Sequence, residues 1–280
     1  MNIPVCFEHV PDSVSHARSQ VGEERDWSNA EAENALSAAR ARLAASHADY
    51  ERHKAPSNSI YYPPPKRSSA EESIDDLRGV SSLDALVTRN HYGSVVLNAH
   101  HALFIDVDMP KTSNAPRYAS AFRERNPGPW QSTFDDLCTV LASERGTGFR
   151  IYRTAAGFRI LATTHEFEPD SESARELMTS VGADDAFIRL CGVQNTFRAR
   201  LTPKPWRCGA DHPPNQFPRQ TAEEQDSFTA WLSQYECACR QRATCQFLGS
   251  VGPRAVHQHV APIIEFHDRE TKAFQELELA

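Results

Sequence analysis

The tightest constraint on the fold is the run Leu103-Phe104-Ile105-Asp106-Val107-Asp108, an apolar stretch that ends in two carboxylates one residue apart. Apolar residues at 103, 104, 105 and 107 make it a strand buried on both faces. Alternate strand residues point the same way, so Asp106 and Asp108 share a face. Two adjacent carboxylates repel, and burying each costs on the order of several kcal/mol. A divalent cation between them removes that cost, and Mg²⁺ suits all-oxygen ligands. A turn at Met109-Pro110 accounts for Asp108 alone, but not for an acid inside the apolar run.

A chain of 280 residues with 40% hydrophobic content has room for one large domain, or for a domain with an appendage. A net charge of −7 argues against a generally basic protein that coats nucleic acid, but is compatible with a local basic groove. Glu8, His9 and Asp12 interrupt any N-terminal apolar run. No window approaches the ~20 apolar residues that cross a bilayer. The expectation is a cytoplasmic protein with no membrane association. Seven scattered cysteines read as reduced thiols. Cys237, Cys239 and Cys245 lack the paired spacing of a zinc site, so zinc is not expected.

Residues 1–72 read as an appendage. A helix from Asn29 to His53 carries a thin stripe of Leu36, Ala39, Leu43 and Tyr50, and a Pro-rich linker runs from Lys54 to Glu72. So thin a stripe needs a partner surface, on the main domain or on another protein. Residues 73–280 read as an α+β core. Its expected order begins with helices over Ser73–Asn90, strands at 93–97 and 102–108, and helices at 115–122 and 133–145. A hairpin follows, its strands beginning at Gly148 and Gly157 and ending at His165. After it come helices at 171–181 and 186–196, a strand at 197–202 and a Pro-rich loop over 203–219. A helix capped by Thr221 and Glu224, strands at 245–248 and 262–266, and a polar tail helix close the chain. The middle of this order is that of a split βαβ, or RRM-like, mixed sheet with helices packed on one face.

A second informative stretch is Phe197-Arg198-Ala199-Arg200-Leu201-Thr202-Pro203-Lys204-Pro205-Trp206-Arg207, where no acid intervenes between Asp185 and Asp211. Arg forks fit phosphates and Lys adds a point charge, so Arg198, Arg200, Lys204 and Arg207 form a candidate phosphate or nucleic-acid contact. The alternative is that these arginines pair with the acids of the first strand. Tyr152, Arg153 and Arg159 on the hairpin would line an open sheet face, where RRM-like sheets bind ligands. His165 ends the hairpin and is placed for a phosphate contact or proton transfer. Glu265, in an apolar run with Asp268 three residues on, is the candidate third metal ligand beside Asp106 and Asp108. His257-Gln258-His259 is a weaker metal signal, on a strand or a loop. No P-loop, Rossmann or α/β-hydrolase signature is present.

Phe104-Ile105-Asp106-Val107-Asp108, Thr163-Thr164-His165 and Ile263-Ile264-Glu265 together resemble the short motifs of the archaeo-eukaryotic primase superfamily, which includes primase-polymerases. The resemblance covers roughly residues 95–270. It implies an RRM-like catalytic sheet and a nucleotidyl transferase that uses Mg²⁺ or Mn²⁺ on nucleotides or nucleic acid. Asp106 and Asp108 would be catalytic, and either His165 or Arg159 would fill the second motif. Arg153, Arg198, Arg200, Lys204 and Arg207 would hold phosphates. The other reading is a non-catalytic module that binds nucleic acid or a protein partner and whose acids and arginines pair internally.

Overall fold

The computed structural model describes residues 5–6, 29–53, 71–76, 84–109 and 128–280. The expected helix at 115–122 and most of the linker lie outside them. Strands β1 (Val5–Cys6), β5 (Phe104–Asp108), β6 (Phe149–Thr154), β7 (Gly157–Ala162) and β10 (Cys245–Val251) form one antiparallel sheet in the order β1-β10-β6-β7-β5. Both β5 and β6 run antiparallel to β7, which lies between them. They are therefore parallel to each other, as the crossover through helix α2 (Gly128–Ser143) requires.

The strand expected at 197–202 is β8 (Phe197–Arg200), but it does not extend that sheet. It pairs with β4 (Val95–Ala99) in a second antiparallel sheet of order β2-β3-β4-β8, with β2 at Glu72–Asp76 and β3 at Ala85–Arg89. This corrects the helical reading of 73–90 for the residues described there. Val87 and Thr88 are β-branched, and the β4 strand beside them supplies the pairing that settles a short ambiguous run. The fold is mixed α+β.

Alternation gives the larger sheet two different faces. Ile105, Val107, Phe158 and Ile160 point to the side that α2 covers with Phe134, Leu137 and Leu141. Trp130 and Phe134 meet the Phe158 ring there at 5.4 and 6.1 Å. The opposite face carries a polar row in cross-strand register, Asp106, Arg159 and Tyr152, with Phe247 next in line beside Tyr152. Helix α7 (Ala261–Thr271) covers this second face, with His267 against Phe104 and Tyr152. The hairpin face expected to be open is therefore closed, and Tyr152 is fully buried.

Helix α7 overturns the strand expected at 262–266. Pro262 lies in its first turn, and Ile263, Ile264, His267 and Thr271 make one buried helical stripe. Helix α1 (Asn29–His53) docks on α2. Ala39 and Leu43 are buried, and Arg42 holds both Asp136 oxygens. Helices α3 (Glu172–Ser180) and α4 (Asp185–Gln194) are capped by Ser171 and Asp184. The Pro-rich loop holds the single turn α5 (Pro205–Cys208). Thr221 caps α6 (Ala222–Arg240), whose Glu224 carboxylate accepts from the Gln220 N–H. A short parallel pair, β9 (Arg242–Ala243) and β11 (Glu278–Leu279), closes the chain. Among the described residues no helix is long and apolar enough to cross a membrane.

Candidate metal centre

The acids of β5 face arginines. Arg159 Nε and Nη2 donate to the two Asp106 oxygens at 2.7 and 2.9 Å, and Nη1 donates to the Arg200 carbonyl at 2.8 Å. Burial alone would raise the Asp106 pKa, but Arg159 outweighs it and holds the carboxyl below the usual range. The Arg200 guanidinium is buried within the fields of both Asp106 and Asp108, and burial lowers its pKa. Both Asp106 oxygens are thus taken by a cation of the chain itself, which is a poor arrangement for Mg²⁺.

Glu265 is not brought to this pair. It is exposed on α7, two residues from the buried His267 and so on the opposite side of the helix. Asp268 is occupied as well: Arg150 Nη2 and the Tyr152 hydroxyl donate to its two oxygens at 2.6 and 2.7 Å. Cys245 Sγ, His267 and Asp268 line up with separations of 4.0 and 3.1 Å, an order that suggests a nucleophilic relay. Cys245 and His267 are fully buried, however, and burial pushes the thiol up to about 11. With no access and no thiolate, this cluster is structural.

The cations expected to bind phosphate have different surroundings. Arg198 donates to Glu71 and Gln194, both at 2.6 Å. Lys204 is 4% exposed, with its ammonium 5.7 Å from the Trp206 ring. Arg207 lies in α5 and Arg153 stacks over Trp130 at 4.9 Å. His165 is exposed beside Thr164.

Two other groups of side chains do converge. Asp84, His100 and His101 bring their ligand atoms within 4.8 Å of one another, and so do Glu166, His257 and His259. The fold explains both. Residues 84 and 100 flank the ends of the β3–β4 pair, where the His100 N–H donates to the Asp84 carbonyl at 2.9 Å. The segment after β7 is pinned when the Phe167 N–H donates to the His101 carbonyl at 3.0 Å. The His257 N–H donates to the Thr163 carbonyl at 2.7 Å, which fixes the turn before α7.

Side-chain bonds prepare the imidazoles. His100 Nδ1 lies 3.0 Å from the Asn195 carbonyl, which only accepts, so Nδ1 carries the proton and Nε2 presents its lone pair. Glu166 sits 2.8 Å from His259 Nδ1. The His257 and His259 rings are 5.1 Å apart and perpendicular. The Nδ1 atoms of His101 and His257 are buried without a hydrogen-bond partner among the described residues; His101 Nδ1 lies 3.3 Å from a Glu168 oxygen, outside hydrogen-bond alignment. Asp84, His101, Glu166 and His259 open on one cavity of about 250 Å³, floored by Ala99, Ala102, Val260 and Ile263.

Of these residues only His257 and His259 stand out as a metal signal in the sequence, and they lie in a turn, not a strand. The adjacent His100-His101 between two apolar strands, and Glu166-Phe167-Glu168 after the hairpin, were the other readable marks. Comparison with protein-family models, with curated proteins and with solved structures returns no match for this chain.

Proposed function

We propose that this protein is a metal-dependent hydrolase whose centre is the histidine–carboxylate cavity between the β4–β5 connection, the segment after β7 and the turn before α7. One observation carries the reading: two separate groups of imidazoles and carboxylates open on a single cavity. Mixed nitrogen and oxygen ligands suit Zn²⁺, Co²⁺ or Mn²⁺ better than Mg²⁺. A structural site would be closed by its ligands, whereas a site that opens on a cavity leaves a coordination position for substrate. Such an ion supplies a water of lowered pKa and polarises the bond to be cut. Absence of zinc was expected from the cysteines alone, and the histidines offer a different ligand set. A cytoplasmic setting agrees with the buried free thiols of Cys138, Cys191 and Cys245.

The test is a thermal shift with each ion. Zn²⁺, Co²⁺ or Mn²⁺ at low micromolar concentration should raise Tm by several degrees, and His101→Ala together with His259→Ala should remove the shift. A shift given equally by Mg²⁺ and retained in that double variant would remove the cavity from consideration.

A second reading is favoured by the Asp106–Arg159 pair: a non-catalytic nucleic-acid- or partner-binding module whose acids and arginines pair internally. It expects salt-sensitive binding that survives chelation and Asp108→Ala. Nucleotidyl transfer on Mg²⁺ held by Asp106 and Asp108 finds support in the β5-α2-β6-β7 order, which is that of an RRM-like half. It would require the ion to displace Arg159, and a triphosphate-dependent Tm shift lost in Asp106→Ala is its signature.

A further inference from the structure

We propose that the histidine–carboxylate cavity binds two divalent transition-metal ions side by side and that its substrate is a phosphate monoester. This rests on the reading of the cavity as a metal centre.

Asp84, His100 and His101 form one group, and Glu166, His257 and His259 another; each closes on itself within 4.8 Å. One tetrahedral ion uses four ligands, and one group alone leaves a position open. The Glu166-Phe167-Glu168 segment bears on both groups. Phe167 is buried and its N–H is fixed to the His101 carbonyl at 3.0 Å. The two carboxylates on either side of it reach different groups. Glu166 meets His259 at 2.8 Å, while Glu168 lies 3.3 Å from His101 and 3.8 Å from His100. A single rigid segment thus serves both groups with one acid each.

A cavity of about 250 Å³ is lined by Asp84 and His101 of one group and by Glu166 and His259 of the other, and two-metal sites share one such space between ions ~3.5–4 Å apart. Two divalent ions carry one more positive charge than Asp84, Glu166 and Glu168 neutralise, which favours an anionic group bridging the pair. A phosphoryl group fits that demand, with attacking and leaving oxygens each stabilised by an ion. In the step this permits, the oxygen of a water bonds to phosphorus and the phosphorus–oxygen bond to the alcohol breaks. The water proton goes to the departing alkoxide, so alcohol and inorganic phosphate are the products. The small cavity admits the phosphoryl end of such an ester, with the rest outside.

The experiment loads the full chain with Mn²⁺ or Zn²⁺, removes excess ion by gel filtration and counts metal per chain. Two ions are expected in the wild type, and one in either His101→Gln or His259→Gln. Mn²⁺ resonance spectra of the wild type alone should change from an isolated-ion to a spin-coupled pattern as the second equivalent is added, so the answer does not depend on a variant that folds. Hydrolysis of p-nitrophenyl phosphate should fall at least 100-fold in each variant. One ion in the wild type, lost entirely in either variant, overturns the two-ion centre and leaves the single-metal hydrolase standing. No bound ion overturns both. Two coupled ions without phosphatase activity overturn the substrate class.

Discussion

Arg159 reaches across from the neighbouring strand and takes both carboxylate oxygens of Asp106, although the two residues are 53 positions apart in the chain. Arg159 is 2% exposed. Removing its partner would leave a buried guanidinium with unmet donors, a change that costs roughly 3–5 kcal/mol. Asp106→Ala should therefore destabilise the protein by about that much in a urea titration and leave its metal content unchanged. The double variant Asp106→Leu with Arg159→Met should be more stable than Asp106→Ala, because it removes the stranded charge along with its partner. If Asp106→Ala instead lost bound metal at unchanged stability, the pair would be a ligand after all.

The same pair shows what could be read in the chain and what could not. The polar face, the hairpin and the helices capped by Ser171 and Thr221 follow from local spacing: period two, period 3.6, and a hydroxyl before a helix. Asp106 was legible as anomalous for the same reason. Its partner was not, because strand alternation says which way a side chain points and not what faces it. Short apolar runs failed for a related reason. Residues 85–89 and 262–266 each suit strand or helix alone, and β4 in one case and the underlying sheet face in the other decide between them. The candidate metal centre was the least legible part. His257 and His259 meet Glu166 only because the turn before α7 is hydrogen-bonded back to Thr163, a contact no local pattern announces.

Among the described side chains of α1, Ala39, Leu43 and Arg42 hold the helix to the body, so its attachment should be easy to loosen. Leu43 is 3% exposed and Ala39 fully buried against the body, with Arg42 gripping Asp136. Leu43→Ala removes about 2–4 kcal/mol of burial and packing. Most of this should appear as local release of α1, because among its described residues only Ala39 and Leu43 are buried in the common core. Amide hydrogen exchange should speed up at least 30-fold across residues 33–45 while the β6 and β7 amides keep their protection. Uniform acceleration through the sheet would mean that α1 is an integral part of the core.

Cys208 and Cys239 lie together under the aromatic side of α6. The hydrogen bond from the Cys239 thiol favours the Cys208 thiolate and brings its pKa down to about 7, despite partial burial. Alkylation of Cys208 by iodoacetamide, followed by mass spectrometry, should therefore rise with pH around a midpoint near 7. In Cys239→Ala the midpoint should move up toward the ordinary thiol range, and at pH 7 the rate should fall several-fold. A midpoint that does not respond to Cys239→Ala would remove the hydrogen bond as the cause.

Lys204 gives the stability a pH dependence of definite sign. Burial, with a smaller push from Arg207, lowers its pKa from 10.5 to about 7. The unfolded chain therefore binds this proton more tightly than the folded one between those two values. Unfolding takes up a proton in that window, so stability rises with pH, at a slope of up to about 1.4 kcal/mol per pH unit from this group. Below pH 7 both states are protonated and the cost of the buried charge is constant; above 10.5 neither carries it and the cost is gone. Lys204→Met keeps the length of the side chain and removes the charge. It should be more stable than the wild type at pH 6 by a few kcal/mol at most, and the gap should shrink steadily as the pH is raised to 10. Urea midpoints at pH 6, 8 and 10 measure it directly, and a gap that does not narrow would show that burial does not lower the Lys204 pKa in the folded chain.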